Sequence, residues 1–370
     1  WQEKWDNLPM IKGSLSDGLL KTLDTKPKVE QKEDTTNPKA YAFYLEAKHK
    51  YGKRENIDDT EIARGLLNKA IEIDANLIKA KNLLGTTYVD MGAYDKAMDI
   101  YTPALKQAEQ LGNKQETGNS LNNFGKVHWY KGDLDTALDY FERSLAIREE
   151  LGDKSGMGDS FNNIGVIHNN KSDDEKALDY IKSSLKIYEE LGNKNGMARV
   201  FTSIGNVYSE KSDYEKSIEY YTRSLKIQEE AGDKYVIGKN QHNIAMIYSE
   251  KGDYEKALGY YARSLEIDEK IGNKVMRGYN LAGIGIVYCY KGDYEKALDF
   301  QERSLQIREE FSARLEMQNN LYNIGIVYYN KGDYENAEEY LEKSLVIQKE
   351  IGGESNLMLK TTTYLYLTYK

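Results

Sequence analysis

The sequence predicts an all-helical solenoid of about eight stacked helix–turn–helix hairpins. The first observation is a glycine that returns at a spacing of forty residues, in segments such as NNIGVI and YNIGIV. The second is an alanine or serine about twelve residues after each of these positions, in a DYEKAL-like box. Self-similarity at such a period is typical of stacked helical hairpins and not of an enzyme core. The repeated positions are Gly125, Gly165, Gly205, Ala245, Gly285 and Gly325, followed by Ala137, Ala177, Ser217, Ala257, Ala297 and Ala337.

The end of each helix follows from the residues between the apolar segments. In KGDYEKAL, Gly252 suits the left-handed backbone position that ends one helix, and Asp253 suits the cap of the next. In LGDK, Gly152 has the same role between hairpins. A glycine inside a helix, such as Gly165, costs roughly 1 kcal/mol against alanine. Its recurrence therefore predicts a close approach of the second helix near Ala177.

In chain order, the apolar spacing and these end signals predict eight helix pairs and one unpaired helix. The unpaired helix, 355–369, is expected to cover the apolar face of the last repeat, because stacked arrays need such a cap for solubility. The pairs are 38–52 with 60–74, 77–91 with 94–111, 115–130 with 134–151, 155–170 with 174–191, 195–210 with 214–231, 235–250 with 254–271, 275–290 with 294–310, and 315–330 with 334–351.

Three regions are therefore expected along the chain. Residues 1–37 hold a short helix and a polar linker, KPKVEQKEDTTNPK, and are a candidate remnant of a preceding domain. Residues 38–354 form the solenoid, and residues 355–370 form the C-terminal capping helix. Because the chain begins at Trp1, the missing signal peptide says little about the parent protein.

Composition excludes several classes of function. The net charge of −9 argues against nonspecific binding to nucleic acid phosphates. Cys289 is the single cysteine, so neither a disulfide within the chain nor a cysteine-based zinc site can form. No stretch of about twenty apolar residues is present to insert directly into a membrane. We expect no metal and no cofactor, and a cytoplasmic location, with the periplasm left open for a fragment.

The repeat resembles the tetratricopeptide repeat over about residues 38–351. That pattern pairs a large residue, a Leu-Gly and a Tyr on the first helix with Ala, an aromatic or aliphatic residue, and Ala on the second. The usual proline is absent and the period is forty and not thirty-four, as in the repeats of mitotic-spindle adaptors, kinesin light chains and bacterial peptide-sensing regulators. The resemblance implies a right-handed superhelix with a concave wall of first helices that holds a peptide or helix. The matching residues in one repeat are Phe201, Ile204, Gly205, Tyr208, Ser217, Tyr221 and Ser224.

A shorter resemblance lies at the N-terminus. WQEKWDNLPMIKGSLSDGLLKTL is similar to the end of the TolB-like domain that precedes such repeats in some bacterial proteins, where it follows an adenylate-cyclase or other signalling module. PKAYAFYLEAKHKY is similar to the first hairpin of those proteins. The resemblance implies that this chain is the regulatory region of a larger signalling protein.

The concave wall of this family implies a set of ligand-facing residues. An asparagine amide both donates to and accepts from a peptide backbone, so a row of amides could hold an extended segment. The alternative is that these amides tie neighbouring helices together. The row comprises Asn122, Asn123, Asn162, Asn163, Asn206, Asn243 and Asn323. The flanking candidates are Lys126, Arg199, Lys239, His242, Tyr279 and Tyr322, of which Arg199 and Lys239 are the basic residues expected to meet a carboxylate.

The histidines give little support to catalysis. His128 and His168 occupy the repeat position that Tyr208 fills elsewhere, which indicates a packing role. His242 has neither a nucleophile nor a metal-ligand partner in the pattern. We therefore expect no enzyme but a protein-interaction scaffold whose partner is a protein or peptide. The alternative is a self-association module that makes a homodimer of a larger signalling protein.

Overall fold

The computed structural model describes residues 37–310, 314–351 and 356–368, and these contain seventeen α-helices and no strand. The predicted N-terminal helix and most of the linker lie in residues 1–36, outside the described residues. The helices are α1 Pro38–Gly52, α2 Ile57–Ile73, α3 Ile78–Val89, α4 Tyr94–Gln110, α5 Lys114–Tyr130, α6 Leu134–Leu151, α7 Lys154–Asn170, α8 Asp174–Glu190, α9 Lys194–Glu210, α10 Tyr214–Ala231, α11 Lys234–Glu250, α12 Tyr254–Ile271, α13 Lys274–Tyr290, α14 Tyr294–Glu310, α15 Arg314–Lys331, α16 Tyr334–Ile351 and α17 Asn356–Thr368.

Consecutive helices pack in pairs, and each pair packs on the next. We number the pairs as hairpins one to eight, from α1–α2 to α15–α16. The last helix, α17, packs on α16, as expected of a cap. The prediction of eight hairpins and a capping helix is therefore confirmed. None of the helices in the described residues combines the length and the apolarity needed to span a membrane.

The turns use the predicted chemistry. Gly152 and Gly252 lie in the left-handed region with φ of 63° and 74°. The backbone N–H of Lys256 donates to Asp253 Oδ1 at 3.3 Å, which caps α12. Ser172 and Ser212 hold φ of 61° and 56°, a conformation that favours glycine.

The two helices of a hairpin approach most closely at the repeated glycine. A Cβ on Gly165 would lie 2.6 Å from Ile181 Cγ1 and 3.0 Å from the carbonyl oxygen of Ala177. The prediction of a close approach near Ala177 is confirmed, because no methyl group fits between these atoms.

Hairpin six packs differently because alanine takes the place of glycine. In hairpin five, the Tyr221 ring lies on Gly205, where a Cβ would be 2.6 Å from the ring. The equivalent Tyr261 lies beside Ala245 in the same core cluster, but its ring reaches the next hairpin, where a Cβ on Gly283 would be 2.4 Å from Tyr261 Cζ. One methyl group thus moves a tyrosine contact from within a hairpin to the junction between hairpins.

Most of the core clusters join two neighbouring hairpins. In one such cluster, Ala177 and Ile181 of α8 pack with Val200, Phe201 and Ile204 of α9. Stability is therefore distributed over neighbouring contacts, as in other repeat proteins.

A buried serine links the two helices of most hairpins. Its hydroxyl donates to a main-chain carbonyl on the first helix, which satisfies both groups inside the core. The bonds run from Ser144 to Gly118 at 2.8 Å, Ser184 to Gly158 at 2.7 Å, Ser264 to Gly238 at 2.8 Å, Ser304 to Gly278 at 2.7 Å and Ser344 to Gln318 at 2.8 Å.

The solenoid winds back on itself. Helix α2 of hairpin one packs against α12 of hairpin six. Lys53 Nζ donates to the carbonyl of Ala231 at 2.5 Å, and the Arg54 guanidinium lies 5.3 Å from the centre of the Tyr235 ring. Hairpin one therefore closes over hairpins five and six.

Candidate functional site

The concave wall is made of first helices. The odd-numbered helices α3 and α5 contact each other across adjacent hairpins, as do α7 and α9, α9 and α11, α11 and α13, and α13 and α15. No comparably close pair of second helices from neighbouring hairpins occurs in the described residues. Because the helices on the inside of a curved array are the closer ones, the first helices line the interior.

Part of the asparagine row forms bonds between hairpins. Asn163 Nδ2 donates to Asn122 Oδ1 at 2.8 Å, and Asn243 Nδ2 donates to Asn206 Oδ1 at 3.3 Å. Asn206 Oδ1 also accepts from the Tyr221 hydroxyl at 2.7 Å. These amides tie neighbouring first helices together, which was the alternative interpretation of the row.

The same amides keep unused atoms. Asn163 and Asn243 are half-buried, and within the described residues their side-chain oxygens accept no hydrogen bond. Asn162 Oδ1 is buried without a partner in the described part of the chain. Asn123 and Asn323 are also half-buried. The oxygens of Asn163 and Asn243 therefore remain without a hydrogen bond after the bonds between hairpins have formed.

Arg199 has an acidic partner inside the chain. Its guanidinium lies 2.8 Å from Asp159, which also accepts from the Tyr188 hydroxyl at 2.7 Å. Burial alone would raise the pKa of Asp159, but Arg199 and Tyr188 outweigh it and hold that pKa below its usual range. The positive charge of Arg199 is therefore already balanced by Asp159 within the chain.

Lys126 of α5 and Lys239 of α11 make neither a hydrogen bond nor an ion pair to any of the residues that the structure describes. Both are half-buried. Burial lowers the pKa of the Lys126 ammonium, and the charge of Asp159 partly opposes this. Burial, followed by the positive charge of Lys126, lowers the pKa of Lys239.

His242 is part of the packed wall. Its Nδ1 is 2.8 Å from Asn280 Oδ1, and its ring lies 5.4 Å from that of Tyr261. Burial lowers the pKa of His242 to about 4. The imidazole is therefore neutral at physiological pH and has its polar edge occupied.

The two tyrosine candidates also have partners within the chain. The Tyr279 hydroxyl donates to Glu316 at 3.1 Å, and Arg308 lies 4.9 Å from its ring centre. The Tyr322 ring meets Tyr364 of α17 edge-on at 6.2 Å. The aromatic end of the groove is thus joined to the capping helix.

Sequence reasoning missed a buried polar network beside the wall. Asp268 accepts from Asn280 Nδ2 at 2.9 Å and from Asn273 Nδ2 at 3.1 Å. Burial raises the pKa of Asp268 to about 7. The sequence shows only that the residue type at this repeat position changes from hairpin to hairpin, and the structure shows that the position is buried each time. The residues are Arg148, Tyr188, Gln228, Asp268, Arg308 and Gln348.

The interior offers groups that can form hydrogen bonds and ion pairs with a ligand. In the described residues, no three His, Cys, Asp or Glu side chains are grouped to hold a metal. Cys289 is half-buried, and burial raises the pKa of its thiol, which disfavours a reactive thiolate. The wall presents amide oxygens, phenols and two ammonium groups, which suits recognition of a peptide.

Comparison with family models identifies the repeat. The tetratricopeptide repeat model matches residues 76–150, 157–230 and 237–310. A second tetratricopeptide repeat model matches residues 319–351. A search of curated proteins gave no match.

Solved structures share the fold at low identity. The chain is similar to a Rap protein complexed with Competence and Sporulation Factor, with a TM-score of 0.68, 16% identity, and coverage of 92% of either chain. It is similar to aspartyl phosphate phosphatase F from Bacillus subtilis, with a TM-score of 0.58, 16% identity, and coverage of 93% of this chain and 90% of that one. A signal transduction ATPase with a tetratricopeptide repeat sensor from Pyrococcus horikoshii gives a TM-score of 0.56 at 15% identity, covering 85% of this chain and about half, 49%, of that one.

Proposed function

Because this chain belongs to the tetratricopeptide repeat family, we propose that it is a non-catalytic scaffold that binds a peptide or a helical partner segment against its concave wall. The observation that carries the proposal is the set of unused amide oxygens on the first helices. Asn163 and Asn243 each donate a hydrogen bond to the neighbouring hairpin, and in the described residues their amide oxygens accept none.

The bonds between hairpins strengthen this proposal. An amide that is held by its neighbour loses little side-chain entropy when it accepts a further hydrogen bond. Extended backbone has N–H groups at regular intervals, so it can use several such acceptors without any particular side chain. The proposed site comprises the unused amide atoms of this row together with Lys126 and Lys239.

The proposed setting is the regulatory region of a bacterial signalling protein in the cytoplasm. The array at 38–354 would be the binding region, and 355–370 its cap. A Rap protein of the same fold is found with a bound factor, and a signal transduction ATPase carries such repeats as its sensor. These relatives support a sensing role for this chain.

The experiment is capture of partners on the immobilised chain, compared between two double variants. Asn163→Ala/Asn243→Ala removes amides from the concave wall, and Lys186→Ala/Lys226→Ala changes exposed residues on second helices. Thermal unfolding verifies that both variants fold. The proposal expects capture to fall at least about tenfold, or 1.4 kcal/mol, for the first variant only. Equal capture by the two variants would contradict it.

A second candidate function is self-association through the capping helix. On α17, Leu359 is 69% exposed, Tyr366 is 59% exposed and Leu367 is 41% exposed. Exposed apolar residues on a terminal helix favour burial against a second copy. Light scattering on the purified chain distinguishes the two functions. A dimer that Leu359→Lys/Tyr366→Lys converts to monomer supports self-association, and a monomeric wild-type chain excludes it.

A further inference from the structure

We propose that the groove between the two helices of hairpin seven binds a carboxylate with a short apolar stem, and that Arg277 holds the carboxylate. This site lies apart from the concave wall and goes beyond the proposed function. Arg277 comes two residues before Tyr279, which contacts Glu316 of the next first helix. At about 100° per residue, the side chains of Arg277 and Tyr279 project about 200° apart around α13.

The groove contains a cavity of about 240 Å³. A water molecule takes up about 30 Å³ in the liquid, so the cavity has room for a small organic molecule. Side chains three or four residues apart share a helix face, and one such face of each helix borders the cavity. The lining includes Lys274, Arg277 and Leu281 of α13 and Arg303, Ile307 and Glu310 of α14.

Two residue changes distinguish this groove from the groove of hairpin five. There, Phe201 belongs to a buried cluster against which Met197 and Ile227 pack. Two repeats later, Arg277 and Leu281 occupy the positions of the methionine and the phenylalanine. A leucine fills less space than a phenylalanine, and a guanidinium loses solvation in an apolar groove. The groove of hairpin seven is therefore open and charged at the place where that of hairpin five is packed with apolar side chains.

Arg277 is the cation of this groove that lacks a partner among the described residues. It is half-buried, and its Nε is buried without a hydrogen-bond acceptor there. Lys274 lies 2.8 Å from Glu310. Arg303 lies 3.4 Å from Asp299. Because a buried donor without an acceptor is unfavourable, Arg277 favours an anion from outside the chain.

The buried acid Asp268, on α12 of the preceding hairpin, does not provide that anion. Its carboxyl accepts hydrogen bonds from Asn280 and Asn273 and, in the described residues, forms no ion pair with Arg277. Burial raises the pKa of Asp268 to about 7. Near neutral pH this carboxyl is therefore only partly ionised, and it compensates the charge of Arg277 only in part.

The lining favours a carboxylate over a phosphate. The planar guanidinium of Arg277 presents paired N–H donors that match two oxygens of either anion. Glu310 also borders the cavity, and it repels a doubly charged phosphate more strongly than a singly charged carboxylate. Leu281 and Ile307 give the cavity an apolar side for methylene groups. A glutamate side chain or a short-chain acid has both features.

The test measures binding of butyrate to the full chain by saturation-transfer NMR. Butyramide, which has the same size and no charge, is the matched control at equal ionic strength. Two hydrogen bonds to a charged group correspond to a dissociation constant on the order of 1–10 mM, which a titration with butyrate covers. Acetate has the charge but lacks two methylene groups, so it should bind about tenfold more weakly than butyrate.

The variant is Arg277→Met, because hairpins four, five and eight have methionine at this position. Since Met197 packs well at the equivalent place, the variant should fold, and thermal unfolding verifies this. We expect butyrate to bind it at least about tenfold more weakly than the wild type. The control is Arg143→Ala in hairpin three, at the position equivalent to Arg303, and it should leave butyrate binding unchanged.

Four outcomes would overturn the inference: equal butyrate binding by the wild type and Arg277→Met, equal binding of butyramide, equal binding of acetate, or binding of inorganic phosphate without butyrate. Competition with the α-amide of N-acetylglutamate distinguishes the sources of the carboxylate. Displacement of butyrate by this compound indicates a glutamate side chain of a partner protein. Butyrate binding without displacement indicates a free acid, and either result supports the carboxylate site.

Discussion

We predict that Asp268 makes the stability of the protein depend on pH and that one substitution removes this dependence. The carboxyl is fully buried on α12 and accepts from Asn280, Asn273 and, at 3.4 Å, Ser264. Burial raises its pKa from 3.8 to about 7, although these hydrogen bonds and the charge of Arg277 oppose the rise. The fold therefore prefers the protonated carboxyl.

The sign and size of this pH dependence follow from the linkage between protonation and folding. The folded-state pKa lies above the unfolded one, so the stabilisation is fully present below pH 3.8 and is lost as the pH rises to about 7. A tenfold change in a protonation equilibrium corresponds to about 1.4 kcal/mol. Between those two values the free energy of unfolding falls by up to roughly 4 kcal/mol because of this group.

Asp268→Asn keeps an acceptor oxygen and does not titrate. We expect the variant to match the wild type near pH 4 and to exceed its free energy of unfolding by up to roughly 4 kcal/mol near pH 8. Urea unfolding followed by circular dichroism at several pH values measures this difference, and other titrating groups cancel in it. A constant difference across the range would refute the assignment.

The control changes an exposed acid of the same kind. Asp139 lies 3.3 Å from Arg143 with 63% of its side chain exposed. Asp139→Asn should alter stability by less than about 1 kcal/mol at either pH. A pH-dependent gain in this variant would show that net charge, and not burial at position 268, controls the effect.

The remaining predictions concern packing and closure. Gly165→Ala should lower stability by up to about 2 kcal/mol, since overpacking against Ile181 and the Ala177 carbonyl costs about 1–3 kcal/mol and the higher helix propensity of alanine offsets about 1 kcal/mol. Gly259→Ala, where a Cβ meets nothing within 4 Å, should raise stability by about 1 kcal/mol in the same denaturation assay, and a loss there would contradict the packing argument. Arg54→Ala should increase hydrogen exchange at the start of α11 around Tyr235, while Arg143→Ala should not; unchanged exchange would mean that Arg54 does not hold the closure.

The hairpins were predictable because their signals are local. A glycine at φ 74° followed by an aspartate cap depends only on neighbouring residues, and Gly252 and Asp253 provide both. The spacing of apolar residues within a single repeat is enough to predict its two helices. The prediction therefore extended from one hairpin to all eight.

The contact of hairpin one with hairpins five and six was not predictable, because it results from many small rotations between successive hairpins. The bond from Lys53 to Ala231 joins residues 178 apart in sequence, and a slight change of angle per repeat would separate them.

The buried polar residues were hidden for a different reason. Asp268 occupies a position that holds arginine, tyrosine or glutamine in other hairpins, so the pattern does not identify it as part of the core. The packing of Tyr261 on Gly283 also follows from the methyl group of Ala245, a change too small to predict from the pattern. In both cases the decisive contact is with the next hairpin.

The central claim is that the partner lies on the concave wall. We would place a photoreactive benzoylphenylalanine at Asn123 on the wall and, in a separate protein, at Lys226 on an exposed second helix, and irradiate each with native lysate. Peptide adducts at position 123 that Asn163→Ala/Asn243→Ala abolishes, with none at position 226, are the expected result. Adducts only at position 226, or adducts at both positions that are indifferent to the asparagines, would contradict the claim.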